Sequence, residues 1–446
     1  MNGHTKMNIK DISVNKLNPL TAYQPLSEKK APSLERSKEY AKSFQELLDT
    51  QVRDWRQPAP IDMSTLHHAF EKWRVPSHYI EDQFWRYLLV NVKKQRLNNQ
   101  ACKYKLKYMV LKVPASVMYC EQWLEIYSMF LYMGLFQVGN YFREKALDSA
   151  LLEAEEALLQ KKAQPGRNIK NVLYRAIGAC INLSNMRKAE DLIHRFGTIS
   201  KQQKTIQTYK QLTNLLNGNT FGLKAVNDVL DKPSIKYFSY VNKQSIAIVA
   251  PSNLSSQSGK EIDSTDVVVR FNCREVIPEA ENESRGNRVD VSYYAEAGVN
   301  LLTESNQSTL PDGITFAIFK NVSNADNIAT SATKRQLMDY SKFLFHGSLH
   351  AVPNAVLDLL EYQPRSIKVF NADLMLTKDR FKGYRPDSFI TQFSKNSVIH
   401  DPALQYLILN QLWKKDIISG DVRFTEVMSL GLDEYMTQLQ DTYKRV

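Results

Sequence analysis

The sequence predicts an all-α region of helical hairpins followed by an α/β region built on a parallel sheet, and three observations lead there. Between residues 64 and 218 the apolar residues recur at three- and four-residue steps, the period of a helix with one buried face. Beyond Lys232-Pro233 the pattern changes to short apolar runs: 245–250 (SIAIVA), 266–271 (DVVVRF), 289–294 (VDVSYY), 314–319 (ITFAIF) and 367–371 (IKVFN). Helical patterns over 353–361 and 402–413 sit among those runs. Strands that are apolar almost throughout, rather than at every second residue, belong to a parallel sheet with helices on both faces. Active sites in such folds lie beyond the carboxyl ends of the strands, so function is sought in the loops that follow them.

Taken in order, residues 1–60 read as a polar N-terminal arm with scattered prolines (Pro19, Pro25, Pro32, Pro58 and Pro60). One helical pattern, over 33–53, interrupts the arm, and the first thirty residues are expected to be mobile. An all-α domain spans 61–230. Leu147, Leu151, Ala154 and Leu158 mark one helix, and Pro165-Gly166 breaks the chain after it. A second run covers 169–183, a turn falls at Ser184-Asn185, and Ala189, Leu192, Ile193 and Phe196 mark the returning helix. This helix–turn–helix resembles a tetratricopeptide-type hairpin, but no 34-residue register repeats, so an irregular helical-hairpin domain is expected. Trp55, Trp73, Trp85 and Trp123 lie in this N-terminal part and are expected in the core rather than on a ligand platform. The α/β domain occupies 233–446.

Composition narrows the function classes. With 43% hydrophobic and 24% charged residues the chain is neither wholly disordered nor a low-complexity scaffold. Its formal charge of +11 favours an anionic partner and suits peripheral contact with an anionic membrane. Lys and Arg are spread along the chain without an RNP or zinc-finger pattern, so nucleic acid is not the expected partner. Cys102, Cys120, Cys180 and Cys273 show neither metal-ligand spacing nor a disulfide framework. The most apolar stretch, 127–138, is shorter than the roughly 18–20 residues of a bilayer span, and no signal-peptide pattern opens the chain. A cytoplasmic protein, peripheral at most to the inner membrane, is the expectation.

The loop after the first apolar run, residues 250–259, combines backbone amides and small hydroxyls suited to a phosphate. It has neither the glycines of a dinucleotide fingerprint nor a GxxxxGK[ST] loop, which argues against a nicotinamide dehydrogenase and a P-loop NTPase. Next come Gly259, Ile262-Asp263, Val268-Val269-Arg270-Phe271-Asn272 and Gly286-Asn287-Arg288-Val289-Asp290. This block resembles the large sialyl motif of the animal-type sialyltransferases, glycosyltransferase family 29. The family's Gly-Asn-Ser is replaced by Ala250-Pro251-Ser252, with Asn253 one step on as a substitute. A second block, 343–373, resembles the small sialyl motif in its layout of strand, loop, helix and strand, with Asn371-Ala372-Asp373 in place of a Gly-Phe step. Pro353-Asn354 is suited to opening its helix toward a ligand, and the four-residue spacing of His346 and His350 is read as non-metal because Gly347 interrupts it. In a third block His400, followed five residues later by Gln405, resembles the family's very small motif, where a Glu is usual; Tyr384 stands near the place of its aromatic motif.

The resemblance implies a Rossmann-like glycosyltransferase that moves sialic acid or Kdo from a CMP donor to a glycan or glycolipid hydroxyl. It implies His400 as the base that activates the acceptor, with Ser252, Asn253, Asn272, Asn354, Asp373 and Tyr384 on the donor side. If the enzyme is retaining, as some Kdo transferases are, Glu296 or Asp373 is the candidate nucleophile. No cofactor and no metal are expected: the sequence contains no DxD pair, and a CMP leaving group carries a single phosphate that amides, hydroxyls or His can stabilise. An appended helical-hairpin domain and a cytoplasmic chain with only four cysteines fit a bacterial capsule or lipopolysaccharide enzyme better than a secretory-pathway one. The competing expectation is a helical-repeat interaction protein with a degenerate nucleotide-binding domain.

Overall fold

The computed structural model describes residues 34–50, 63–72, 74–160, 168–200, 202–219, 231–253, 257–274, 281–304, 309–381, 384 and 393–444. The N-terminal arm of 1–33, Trp55, Trp73 and the Pro165-Gly166 break lie outside them.

Nine helices come first among the described residues: α1 (Leu34–Thr50), α2 (Ser64–Lys72), α3 (Asp82–Lys93), α4 (Gln100–Leu111), α5 (Cys120–Met133), α6 (Phe136–Leu159), α7 (Ile169–Asn182), α8 (Met186–Ile199) and α9 (Gln203–Leu216). Side-chain caps start several of them. Asn99, Asn168 and Asn185 each accept from a backbone amide of the turn they open, satisfying donors that a helix leaves orphaned. The apolar stretch 127–138 is not one helix: Gly134, at φ 76°, ends α5 in the left-handed region and α6 begins two residues on. Both flanks are buried, with Trp85 stacked near Phe130 and Phe142 at ring separations of 6.2 and 6.5 Å. Trp85 and Trp123 are core residues, as expected. Among the described residues no helix is long and apolar enough to cross a membrane.

After α10 (Lys232–Val241) the chain builds a sheet of seven parallel strands, β1 (Ser245–Val249), β2 (Val267–Phe271), β3 (Val291–Tyr294), β4 (Phe316–Phe319), β5 (Thr333–Gln336), β6 (Ser366–Phe370) and β7 (Ser419–Gly420). The helices that accompany it are α11 (Gly259–Asp263), α12 (Asn282–Arg285), α13 (Glu296–Glu304), α14 (Ala351–Leu360), α15 (Phe393–Ser397), α16 (Pro402–Lys414), α17 (Val422–Ser429) and α18 (Leu432–Tyr443). The strand order is β5-β4-β3-β2-β1-β6-β7. Strands one to five therefore step outward in one direction, and β6 returns to pair on the other side of β1. The connections part between β1 and β6, and a crevice opens there at the carboxyl ends of the strands.

The sheet is covered on both faces. Ile246 and Ile248 of β1 join a core that runs continuously into the helical half, while Ala247 and Val249 pack with Ile262, Val268 and Phe370. The two halves of the chain thus share one hydrophobic core. A buried polar joint ties them as well. Arg143 of α6 donates to Asp401 at 2.8 Å and to Asn182 of α7 at 2.8 Å, and Tyr127 of α5 donates to the other Asp401 oxygen at 2.7 Å. Asp401 in turn caps α16 by accepting from the amides of Ala403 and Leu404.

Two strands and one turn depart from the sequence expectation. The edge strand β5 is polar (TKRQ), and β7 has two residues, so neither carries an apolar run. The strand expected to open the second block near Phe343 is a 3-10 turn, Tyr340–Phe343, opened by Asp339, which accepts from the Ser341 amide. Asp339 has a carboxylate pKa below the usual range; burial opposes this, and the Ser341 hydrogen bonds and Lys320 outweigh it.

Candidate functional site

The residues of the first block hold one another. Asp263 accepts from the amides of Asn287 (3.0 Å) and Arg288 (3.1 Å), and Arg288 donates back to the carbonyls of Asp263 (2.8 Å) and Thr265 (2.7 Å). Asp290 accepts from the Val268 amide at 2.7 Å, fixing the start of β2. Arg270 is buried and donates to the carbonyls of Arg288, Arg285 and Gly286; burial and the neighbouring Arg285 push its guanidinium down to about 10. Gly286 sits at φ 66° with the Asp263 carboxylate where a Cβ would be. Gly286→Ala should therefore cost about 1–3 kcal/mol from backbone strain alone, with the displaced carboxylate added, measurable as a lower denaturant midpoint. Ile262-Asp263, Arg270 and Gly-x-Arg-x-Asp are thus explained by the construction of the turn between β2 and β3, without a ligand.

The crevice beside that construction is lined by Pro251, Ser252, His350, Asp373, Arg380, Tyr384, Gln405 and Tyr435, with apolar walls from Val352, Pro353, Met375 and Phe393. The loop after β1 pairs its backbone with residues 379–381: the Phe381 amide donates to Pro251 O at 3.0 Å and the Asn253 amide to Asp379 O at 3.3 Å. Ser252 donates to Asp373 at 2.7 Å. The same carboxylate accepts from the Met375 amide, the Thr377 amide and the Thr377 hydroxyl. With its lone pairs spent, Asp373 is an organiser of its loop. It has a local job, since Leu374 and Met375 sit at φ 48° and 74°, costly for residues with a Cβ, and its bonds hold them there. Arg380 brings a cation to the crevice; it donates to Thr377 O and Asp379 O and stands 3.8 Å from Asp373. Tyr435 donates to Leu374 O at 2.9 Å, and burial pushes its phenol far above the usual range, so it remains a donor.

Among the residues nominated from sequence, Ser252, Asp373 and Tyr384 line the crevice. Asn272, Asn253, Asn354, Glu296 and His400 are not among the residues lining it. Asn272 is buried at φ 48°; its carboxamide accepts from the Ala295 amide and donates to the Tyr384 hydroxyl at 3.4 Å, so it meets the crevice through Tyr384. Asn354 turns back to donate to Leu349 O at 3.0 Å. Asn253 is exposed, and so is Glu296, which opens α13 beyond β3.

The third block forms a layer behind the crevice wall. His400 Nδ1 is 2.9 Å from the Ser348 hydroxyl, and its ring stacks on His350 at 4.4 Å. Gln405 donates to Ser348 O at 2.9 Å and accepts from the His350 amide at 2.8 Å. A glutamate here could accept from the amide but would face the Ser348 carbonyl with a second acceptor. Gln is the side chain that satisfies both ends. His346 is in a different place from His350: it is buried with its ring edge-on to Tyr127, and burial drops it to about 4, keeping it neutral.

The crevice thus adds His350, Arg380, Gln405 and Tyr435 to the nominated set. His350 was legible only as half of a metal spacing, and Arg380 lies in a stretch without periodicity. Tyr435 reads as one aromatic on an amphipathic helix. No protein-family model matches the chain, and no curated protein sequence matches it.

Proposed function

We propose that the protein is a metal-independent glycosyltransferase of Rossmann-like fold, one that transfers an acidic sugar, sialic acid or Kdo, from its CMP donor to a hydroxyl of a glycan or glycolipid. The supporting observation is convergence. The loop after β1, Tyr384 near the place of the aromatic motif, the loop that opens α14 and the start of α16 lie far apart in sequence and were all picked out by the one resemblance. Ser252, Tyr384, His350 and Gln405, one from each, line a single crevice at the point where the strand order reverses. In this reading the apolar wall of Val352, Pro353 and Met375 takes the base or sugar ring. Arg380 faces the anionic groups of the donor, while the Ser252 hydroxyl, whose proton goes to Asp373, holds the loop beside it. The acceptor oxygen forms its bond to the anomeric carbon as the bond to the phosphate oxygen breaks; CMP leaves with that electron pair. The acceptor proton goes to an imidazole, for which His350 at the crevice is placed, with His400 stacked behind it. Asp373 and Glu296 are less suited as nucleophiles, the first saturated by hydrogen bonds and the second outside the lining. Surface polysaccharide synthesis in the cytoplasm, at the inner membrane, is the setting this chemistry fits.

The interaction-protein reading has one observation in its favour: the carboxamides of Asn272 and Asn354 are spent on the protein itself. Thermal unfolding with CMP, CDP, UDP and GDP, each with and without EDTA, separates the two. Saturation at 100 times Kd stabilises by about 2.7 kcal/mol. The transferase reading expects that rise with CMP, unchanged by EDTA. A rise restricted to UDP or GDP and abolished by EDTA would sink it, and no rise with any nucleotide would favour the interaction protein.

A further inference from the structure

Helices α3 and α4 present a face that the crevice does not use. On α4, Cys102, Leu106, Met109 and Val110 are buried, and the opposite side carries Tyr104, Lys105, Tyr108, Leu111 and Lys112. The exposure of its large side chains is high: 73% for Tyr104, 60% for Tyr108 and 42% for Leu111. The neighbouring helix continues the face. Lys105 Nζ lies 4.3 Å over the Tyr87 ring of α3, and Val90, Lys93 and Lys94 follow along that helix on the exposed side. Between residues 83 and 120 the chain has no Asp or Glu, while Lys and Arg recur throughout. Acidic groups border it at two edges: Glu81 pairs with Lys112 at 2.6 Å and Asp82 with His67 at one, and Asp433 and Asp441 of α18 stand at the other. Lys107 points inward instead, toward Glu144 and Asp433 at 3.6 Å.

We infer that this α3–α4 face is a docking surface for an anionic lipid bilayer. Cations would meet the headgroup phosphates, while Tyr104 and Tyr108 enter the interfacial layer where an apolar ring with a polar tip is stable. Between residues 83 and 112 the charges of the two helices are all positive, which matches a negative surface, and the exposed aliphatics Val90 and Leu111 have no use against a nucleic-acid backbone but gain by burial in lipid. The face is also coupled to the crevice. Asn98, in the turn between the two helices, bonds Asp441, and Lys103 donates to Thr437 at 3.1 Å. Both partners are on α18, the helix whose Tyr435 lines the crevice. One helix therefore touches both the lipid-facing surface and the cleft. The docking inference holds whether or not the cleft transfers a sugar.

The test is sedimentation of the full chain with phosphatidylcholine vesicles, with and without phosphatidylglycerol, in dilute buffer and at high salt. The protein should pellet with the anionic vesicles alone and be released by salt. Lys93→Ala, Lys94→Ala and Lys105→Ala combined should weaken partitioning about 100-fold, from three charges at about a factor of five each. Tyr104→Ser with Tyr108→Ser should weaken it while leaving the salt dependence in place. Equal pelleting with neutral vesicles overturns the inference, as does wild-type pelleting by the lysine variant, or stronger binding to a single-stranded oligonucleotide than to vesicles of matched phosphate. If the lysine variant unfolds at a lower temperature, the tyrosine pair decides: pelleting unchanged by it refutes the docking face.

Discussion

Arg143→Met is expected to remove about 3–5 kcal/mol of stability, the usual loss when one member of a buried ion pair is deleted and its partner is stranded. Arg143 is 1% exposed and its partner Asp401 is fully buried. After the substitution Asp401 keeps the Tyr127 hydroxyl and two backbone amides, but no positive charge. Asn182 loses its donor as well. The joint also supports the site from behind: Asp401 caps the helix from which Gln405 reaches the Ser348–His350 segment. A folded variant should therefore also lose order at the crevice. Arg195→Met is the control, since Arg195 pairs with Asp191 on the surface and exposed i,i+4 pairs contribute well under about 1 kcal/mol. Urea unfolding measures both. Equal losses in the two variants would refute a special role for the joint.

That joint shows how far the sequence could be read. The apolar runs announced β1, β2, β3, β4 and β6 because strands covered on both faces are mostly apolar, with single polar residues such as Arg270, Ser292 and Lys368 too few to break the run. Strand β5 was invisible for the opposite reason. Its Arg335 is buried, bonded to Asp358 and, at 2.8 Å, to the Tyr362 hydroxyl, with its guanidinium 4.5 Å over the Tyr237 ring. A cation in a tetrapeptide of polar residues looks like surface, and only the tertiary partners supplied by α14 and α10 make it core. Arg143 and Asp401 are hidden in the same way, 258 residues apart in sequence.

For the crevice, the loops picked out by the resemblance supply part of the lining, while most of the nominated side chains do not reach it. Ser252 and Tyr384 reach the crevice, and Asn272 and Asn354 do not, because each finds a nearer backbone partner. Loop position follows from strand order, which the apolar runs encode. Side-chain direction follows from which unsatisfied amide or carbonyl is closest, and that is set by packing across the whole fold. His350 illustrates the difference. It stands one turn before the interior of α14, in a segment whose amide is held by Gln405 from another helix. Nothing local in HGSLH separates the histidine that is buried from the one that lines a cleft.

The two histidines of the stacked pair are expected to behave differently, and this tests the chemistry most sharply. On the transferase proposal, His350→Ala should lower transfer by about 10²–10⁴-fold, the usual contribution of a general base, while CMP still raises the unfolding temperature. His400→Ala removes a ring that braces His350 from behind, at 4.4 Å, and that binds Ser348 rather than the crevice. As a positioning residue it should cost less, on the order of tenfold. The pH profile separates the roles. With His400 replaced, the acidic limb of the rate should persist, because His350 still has to be neutral to accept a proton. With His350 replaced, the residual rate should lose that limb. If His400→Ala instead abolishes transfer and flattens the profile while His350→Ala keeps both, the base is His400, and the crevice must rearrange on binding to expose it.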